Sequence, residues 1–176
     1  MTAAKRSPWR RAERRCDMRP RLALRTKCGF LYASLMLVTR QGRTLEDIKN
    51  DPESVAPFAR SLCEFVAAIL GPNLASGGWC LCTTPRRRHA EGLHFATEVC
   101  RAASGMIGVP FREDVATART RARIDAEISL VDDPPERNVI LYDDVITTGI
   151  TMRETRKALM NAGHTVFAVA AIRNGE

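Results

Sequence analysis

The sequence predicts an α/β domain built around a largely parallel sheet, and three observations predict it. Short apolar runs at 79–83, 107–111, 128–131, 138–142 and 164–172 have the length of strands buried on both faces. Helical patterns at 91–105 and 151–161 fall between them, with connections of a few residues. The segment 139–151 then runs from an apolar strand through two adjacent carboxylates into a hydroxyl-rich turn and a helix, and open α/β sheets bind ligands at such strand ends.

Composition supports one domain. A chain of 176 residues can bury roughly two thirds of its extended surface. Apolar residues make up 45% and charged residues 27%, which excludes bulk disorder. The apolar stretches 30–38 and 166–172 are too short to span a bilayer. No apolar segment with a cleavage site follows the basic start, so the expected location is the cytoplasm. The net charge of +7 is unevenly spread. Residues 1–27 carry ten Lys and Arg against Glu13 and Asp17, whereas 28–176 carry seventeen basic and eighteen acidic side chains. Residues 1–26 therefore read as a basic flexible arm, either a solvated leader or, through basic residues 5–27, a contact for nucleic acid or another polyanion.

Residues 27–176 form the single domain, with a helical part at 27–76 and an α/β core at 77–176. In the helical part, Leu31, Leu35 and Val38 share one helical face, which predicts a helix over 26–39. Residues 46–49 form a helical turn or loop. A second helix begins near Pro52 or Pro57, presents Phe58, Leu62, Phe65, Val66 and Ile69, and stops at Gly71-Pro72. Its apolar neighbour 30–38 offers a surface for a homodimer. In the core, 84–88 is a loop, 113–125 is polar, 132–137 is a turn and Gly163 closes the last helix. Cys63 and Cys100 sit among apolar residues as core thiols. Cys80 and Cys82, one residue too tight for a zinc knuckle, are expected to face opposite ways, and no structural metal site or disulfide framework is predicted.

The residue types at the strand end each have a physical job. Backbone N–H groups from Val145 and Ile146 through Thr147, Thr148 and Gly149, with the amino end of the next helix, can wrap a phosphate. The Thr147, Thr148 and Thr151 hydroxyls add donors, and Gly149 permits close approach. Asp143 and Asp144 would repel a phosphate that touched them, so they suit two vicinal hydroxyls, directly or through magnesium. The ligand this describes is a sugar with a phosphate at one end and hydroxyls in its middle. Neither a P-loop nor a dinucleotide fingerprint is present, and no serine has a nucleophile-elbow context.

Segment 139–151 resembles the phosphoribosyl-pyrophosphate (PRPP) binding signature of type I phosphoribosyltransferases: an apolar strand, Asp143-Asp144, then Thr147-Thr148-Gly149 and a helix. Residues 77–174 are most similar to the competence-associated, amidophosphoribosyltransferase-like ComF proteins, with 85–96 matching the stretch that follows a strand and opens a helix in that group. The four-cysteine zinc ribbon of many such proteins is missing. The resemblance implies a three-layer type I phosphoribosyltransferase fold with 27–76 as its hood-like region. It implies a pyrophosphate loop at 83–88 with Arg86, Arg87 and Arg88, residues that taken alone also fit a solvated basic turn. It makes 112–127 a loop closing over the site, with Arg119 and Arg121 reaching the reaction or instead pairing with Asp125 and Glu127. Asp143 and Asp144 would hold the ribose hydroxyls and, partly through substrate or water, Mg2+. The implied reaction is displacement at ribose C1 by a nucleobase or amine with release of pyrophosphate. The alternatives are a catalytically weak regulatory protein keeping the same site, and an accessory to DNA uptake or modification. His89 is placed near the anion and His94 on a helix surface.

Overall fold

The computed structural model describes residues 14–71, 74, 76–86, 94–118 and 127–173. The chain begins with β1 (Arg15–Cys16), β2 (Ala23–Lys27), β3 (Phe30–Leu37) and β4 (Arg43–Thr44). Helix α1 (Leu45–Asn50), a 3-10 turn (Pro52–Ser54) and α2 (Val55–Leu70) follow. Then come β5 (Trp79–Thr83), α3 (Phe95–Ile107), β6 (Phe111–Arg112), β7 (Ala116–Ala118), β8 (Ile128–Leu130), β9 (Asn138–Ile146), α4 (Ile150–Asn161) and β10 (Thr165–Arg173).

Six strands form the main sheet in the order β2-β3-β10-β9-β5-β6. Strands β3, β10, β9, β5 and β6 run parallel, and β2 closes one edge antiparallel to β3. Two apolar layers flank this sheet. On one face Phe58, Leu62 and Val66 of α2 and Phe95, Val99 and Cys100 of α3 pack on Leu35, Leu81, Ile140 and Tyr142. On the other, Met152 and Leu159 of α4 and Val115 and Ala116 beside the β7–β8 ribbon pack on Cys80, Cys82, Val139 and Leu141. Each large side chain so buried stabilises the fold by about 1.5–3 kcal/mol. The chain is thus an α/β three-layer fold with a mostly parallel central sheet, as the strand–helix alternation predicts.

The caps explain the helix limits. Thr44 caps α1, its hydroxyl accepting from the Asp47 amide at 3.0 Å. Asp51 accepts from the Glu53 amide ahead of α2, and Gly71 ends that helix where the sequence predicts.

Several expectations need correction. The helix over 26–39 is a hairpin: β2 and β3 flank the two-residue turn Cys28-Gly29, with Lys27 opposite Phe30. Both turn residues have positive φ, 50° and 77°, which matches the right-handed twist of the strands. β3 is an interior strand covered on both faces, so its apolar residues run on without alternating and also satisfy a helical template. For the same reason 30–38 cannot be a subunit face, since Phe30, Tyr32, Ala33, Leu35 and Met36 are buried within the chain. Residues 14–26 belong to the body, not to an arm, because β1 pairs with β4 and β2 with β3. Cys80 and Cys82 share a face, their sulfurs 3.9 Å apart, because alternate residues of a strand point the same way. The strand at 107–111 shrinks to Phe111–Arg112, since α3 runs on to Ile107. All six cysteines carry free thiols.

Candidate active site

Strand β9 does not stop before the carboxylates. Its ladder with β10 continues through Asp143, opposite Ala170, to Ile146, opposite Arg173. Neighbouring residues of a strand start toward opposite faces, yet at this strand end the two carboxyls stay close enough for Asp144 to act on Asp143 through its charge and a side-chain hydrogen bond. Asp144 lies on the helical side, where Lys49 at the end of α1 meets it at 2.5 Å. Asp143 accepts from the Asp144 amide at 2.8 Å. Burial raises the Asp143 carboxyl first, and the charge of Asp144 raises it further, to about 8.

Among the described residues, the amides of Thr147, Thr148, Gly149, Ile150 and Thr151 donate to no backbone carbonyl, and α4 has no side-chain cap. Gly149 sits at φ 83°, ψ −3°, a left-handed conformation that turns the chain from strand into helix. Backbone N–H groups left without a carbonyl partner at a helix amino terminus are donors suited to an anion. Thr148 and Thr151 are exposed, Thr147 is half-buried, and Val145 and Ile146 anchor the turn to the sheet.

The loop after β5 stands beside this turn because β5 and β9 are parallel neighbours, with Thr83 opposite Tyr142. The Thr84 amide donates to the Tyr142 carbonyl at 3.2 Å. Thr83 and Thr84 are buried and Arg86 is exposed. Arg87, Arg88 and His89 lie outside the described residues, as do Arg119, Arg121 and Arg123. Strands β7 and β8 pair antiparallel, with Ala118 opposite Ile128. His94 is the half-buried cap residue of α3, its Nδ1 2.6 Å from the Thr97 hydroxyl, and is not a helix-surface histidine. Burial holds its pKa below the usual histidine value, opposed by the charge of Asp144.

Two residues of this site escaped the sequence reading. Lys49 comes from a six-residue helix and Lys27 from a hairpin turn. At the turn, the Cys28 thiol donates to the Thr148 carbonyl at 2.9 Å. The Lys27 chain covers Gly149, with Cγ and Cδ 3.4 and 3.5 Å from where a Cβ would stand. Only the pairing of β3 with β10 brings these segments together, and no local pattern signals it.

No family sequence model and no curated protein sequence matches the chain. Solved structures do match, among them an adenine phosphoribosyltransferase, 11% identical over 86% of this chain and 84% of that one, with a TM-score of 0.51. The fold is of the type I phosphoribosyltransferase kind. An orotate phosphoribosyltransferase from Aeropyrum pernix is 17% identical over 79% of this chain and 70% of that one, with a TM-score of 0.48. An adenine phosphoribosyltransferase from Saccharomyces cerevisiae is 12% identical over 86% of this chain and 83% of that one, with a TM-score of 0.49. Among the described residues, no helix of this phosphoribosyltransferase-like fold is long and apolar enough to cross a membrane.

Proposed function

We propose that the chain binds PRPP with Mg2+ and transfers its 5-phosphoribosyl group to a nucleobase or amine, releasing pyrophosphate. The observation that carries this reading is the acidic pair on β9 followed at once by the open amides of 147–151. One subsite takes vicinal hydroxyls, the other a phosphate, and a single turn sets their spacing. The amides and the Thr147, Thr148 and Thr151 hydroxyls hold the 5-phosphate, so ribose C1 is fixed relative to the strand ends. Asp143 and Asp144 accept from the ribose hydroxyls and stabilise positive charge developing on the ring. The resemblance assigns Arg86, Arg87 and Arg88 to the leaving pyrophosphate, and Arg119 and Arg121 to excluding water from the reaction.

Among the described residues no three metal-ligating side chains cluster. The two carboxylates therefore fit an ion that takes most of its oxygens from the ligand, and half-buried Asp143, raised by burial, suits such a cation. Bound there, Mg2+ neutralises the leaving group. The likeness of residues 77–174 to the competence-associated ComF group belongs to this reading. So does a homodimer, for which Leu22 and Leu24 at the β2 edge provide exposed apolar surface.

Calorimetric titration with PRPP, with and without Mg2+, tests the proposal. Wild-type protein is expected to bind in a magnesium-dependent manner, and D143N/D144N to lose at least tenfold in affinity. Absence of wild-type binding sinks the transferase reading, together with the regulatory one that keeps the same site, and favours a DNA-linked role.

A further inference from the structure

We infer that Lys27 is a specificity-determining residue for the 5-phosphate of the ligand, brought to the site by the β2–β3 hairpin. This inference rests on the phosphoribosyl reading of the strand end and adds a residue that the 139–151 segment does not contain.

The placement is specific. Lys27 is the last residue of β2, opposite Phe30 across the Cys28-Gly29 turn. The Cys28 thiol bonded to the Thr148 carbonyl ties this turn to the phosphate loop. The methylenes of Lys27 lie over Gly149, the residue that caps α4. Its ammonium group is therefore carried on a stem already seated at the helix amino terminus.

Charge explains what that ammonium is for. A helix amino terminus carries roughly half a positive charge, so a half-buried lysine set against it is unfavourable unless an anion lies between. Lys27 forms no ion pair among the described residues, whereas Lys49 is committed to Asp144. The loop 145–149 has no cation of its own, and Asp143 and Asp144 adjoin it. A phosphate dianion held only by amides would be repelled by that pair. Lys27 offsets the repulsion at the phosphate end, leaving the arginines after β5 to the pyrophosphate end.

The two ends can be probed separately with ribose 5-phosphate and inorganic pyrophosphate, alongside PRPP with Mg2+. K27Q is expected to weaken ribose 5-phosphate and PRPP by about 10–100-fold, the range for one charge-assisted hydrogen bond, and to leave pyrophosphate unchanged. K27R, which keeps the charge, is expected to retain most of the affinity, and equal melting temperatures exclude misfolding as the cause. The inference is overturned if K27Q binds ribose 5-phosphate like wild type, or loses both probes equally. If wild-type protein binds neither ribose 5-phosphate nor PRPP, the reading of the strand end fails and takes the role of Lys27 with it.

Discussion

Asp143 is asked to be a carboxylate where a carboxylate is poorly solvated. Its partner Asp144 has Lys49 at 2.5 Å, while Asp143 accepts from one backbone amide. A pKa raised from 3.8 to about 8 means that the unfolded chain releases this proton at lower pH than the folded one. Relative to an uncharged isostere, the wild type therefore loses stability as pH rises from about 4 and stops losing it near 8. D143N is expected to melt level with wild type at pH 4 and above it at pH 8. Thermal melts across that range measure the gap, and a gap independent of pH would contradict the assignment. On the proposed function the same substitution removes an acceptor for the ribose, so stability would be gained where binding is lost.

At the scale of elements, α2 and α3 form the layer that supports Asp144 and His94. Phe58 and Phe95 meet edge to face with centroids 5.2 Å apart, and Phe95 opens α3 directly after His94. F58A should cost about 3–5 kcal/mol in urea titrations, through lost burial and the cavity left behind. It should also weaken PRPP binding, since α3 loses the contact that fixes its amino end. Elements of this kind were legible because their signals are local. The stop at Gly71-Pro72 and the strand–turn–helix around Asp143 each lie within one short window. β3 was not legible as a strand: Leu31, Leu35 and Val38 fit a helix, and only pairing with β10 on one side and β2 on the other makes the run a strand. The lysines of the site were hidden for the same reason. Lys27 and Lys49 become neighbours of β9 through tertiary pairing, whereas Asp143 through Thr151 are neighbours already in sequence.

For the molecule as a whole, the boundary between arm and body decides how the basic amino terminus should be studied. Every described contact of that terminus begins at Arg14, whose carbonyl accepts from Leu45. Removing residues 1–13 is expected to leave the melting temperature and PRPP affinity unchanged. Removing residues 1–27 strips β1, β2 and Lys27, and is expected to yield an aggregating protein with an unpaired β3 edge. A cut near residue 25 would confuse lost folding with lost nucleic-acid contact. The cut after residue 13 separates them. Nucleic-acid affinity that falls steeply with salt in the full chain and vanishes in the shorter one assigns that contact to the arm. Equal affinity in both would dismiss it.

The order of the sheet also sets a timetable. β3, among the first strands to be synthesised, takes its parallel partner from β10, which ends at Arg173. Until β10 has been made the β2–β3 hairpin must wait with one open edge, and neither Lys27 nor Cys28 can settle against the turn at 147–149 before then. Such long-range closure is slow and leaves a sticky intermediate. The junction between the hairpin and that turn is thus completed late. Any phosphorylated ligand already present when the final strand docks would bind the finished protein alone, and would draw nascent chains out of the aggregation-prone pool.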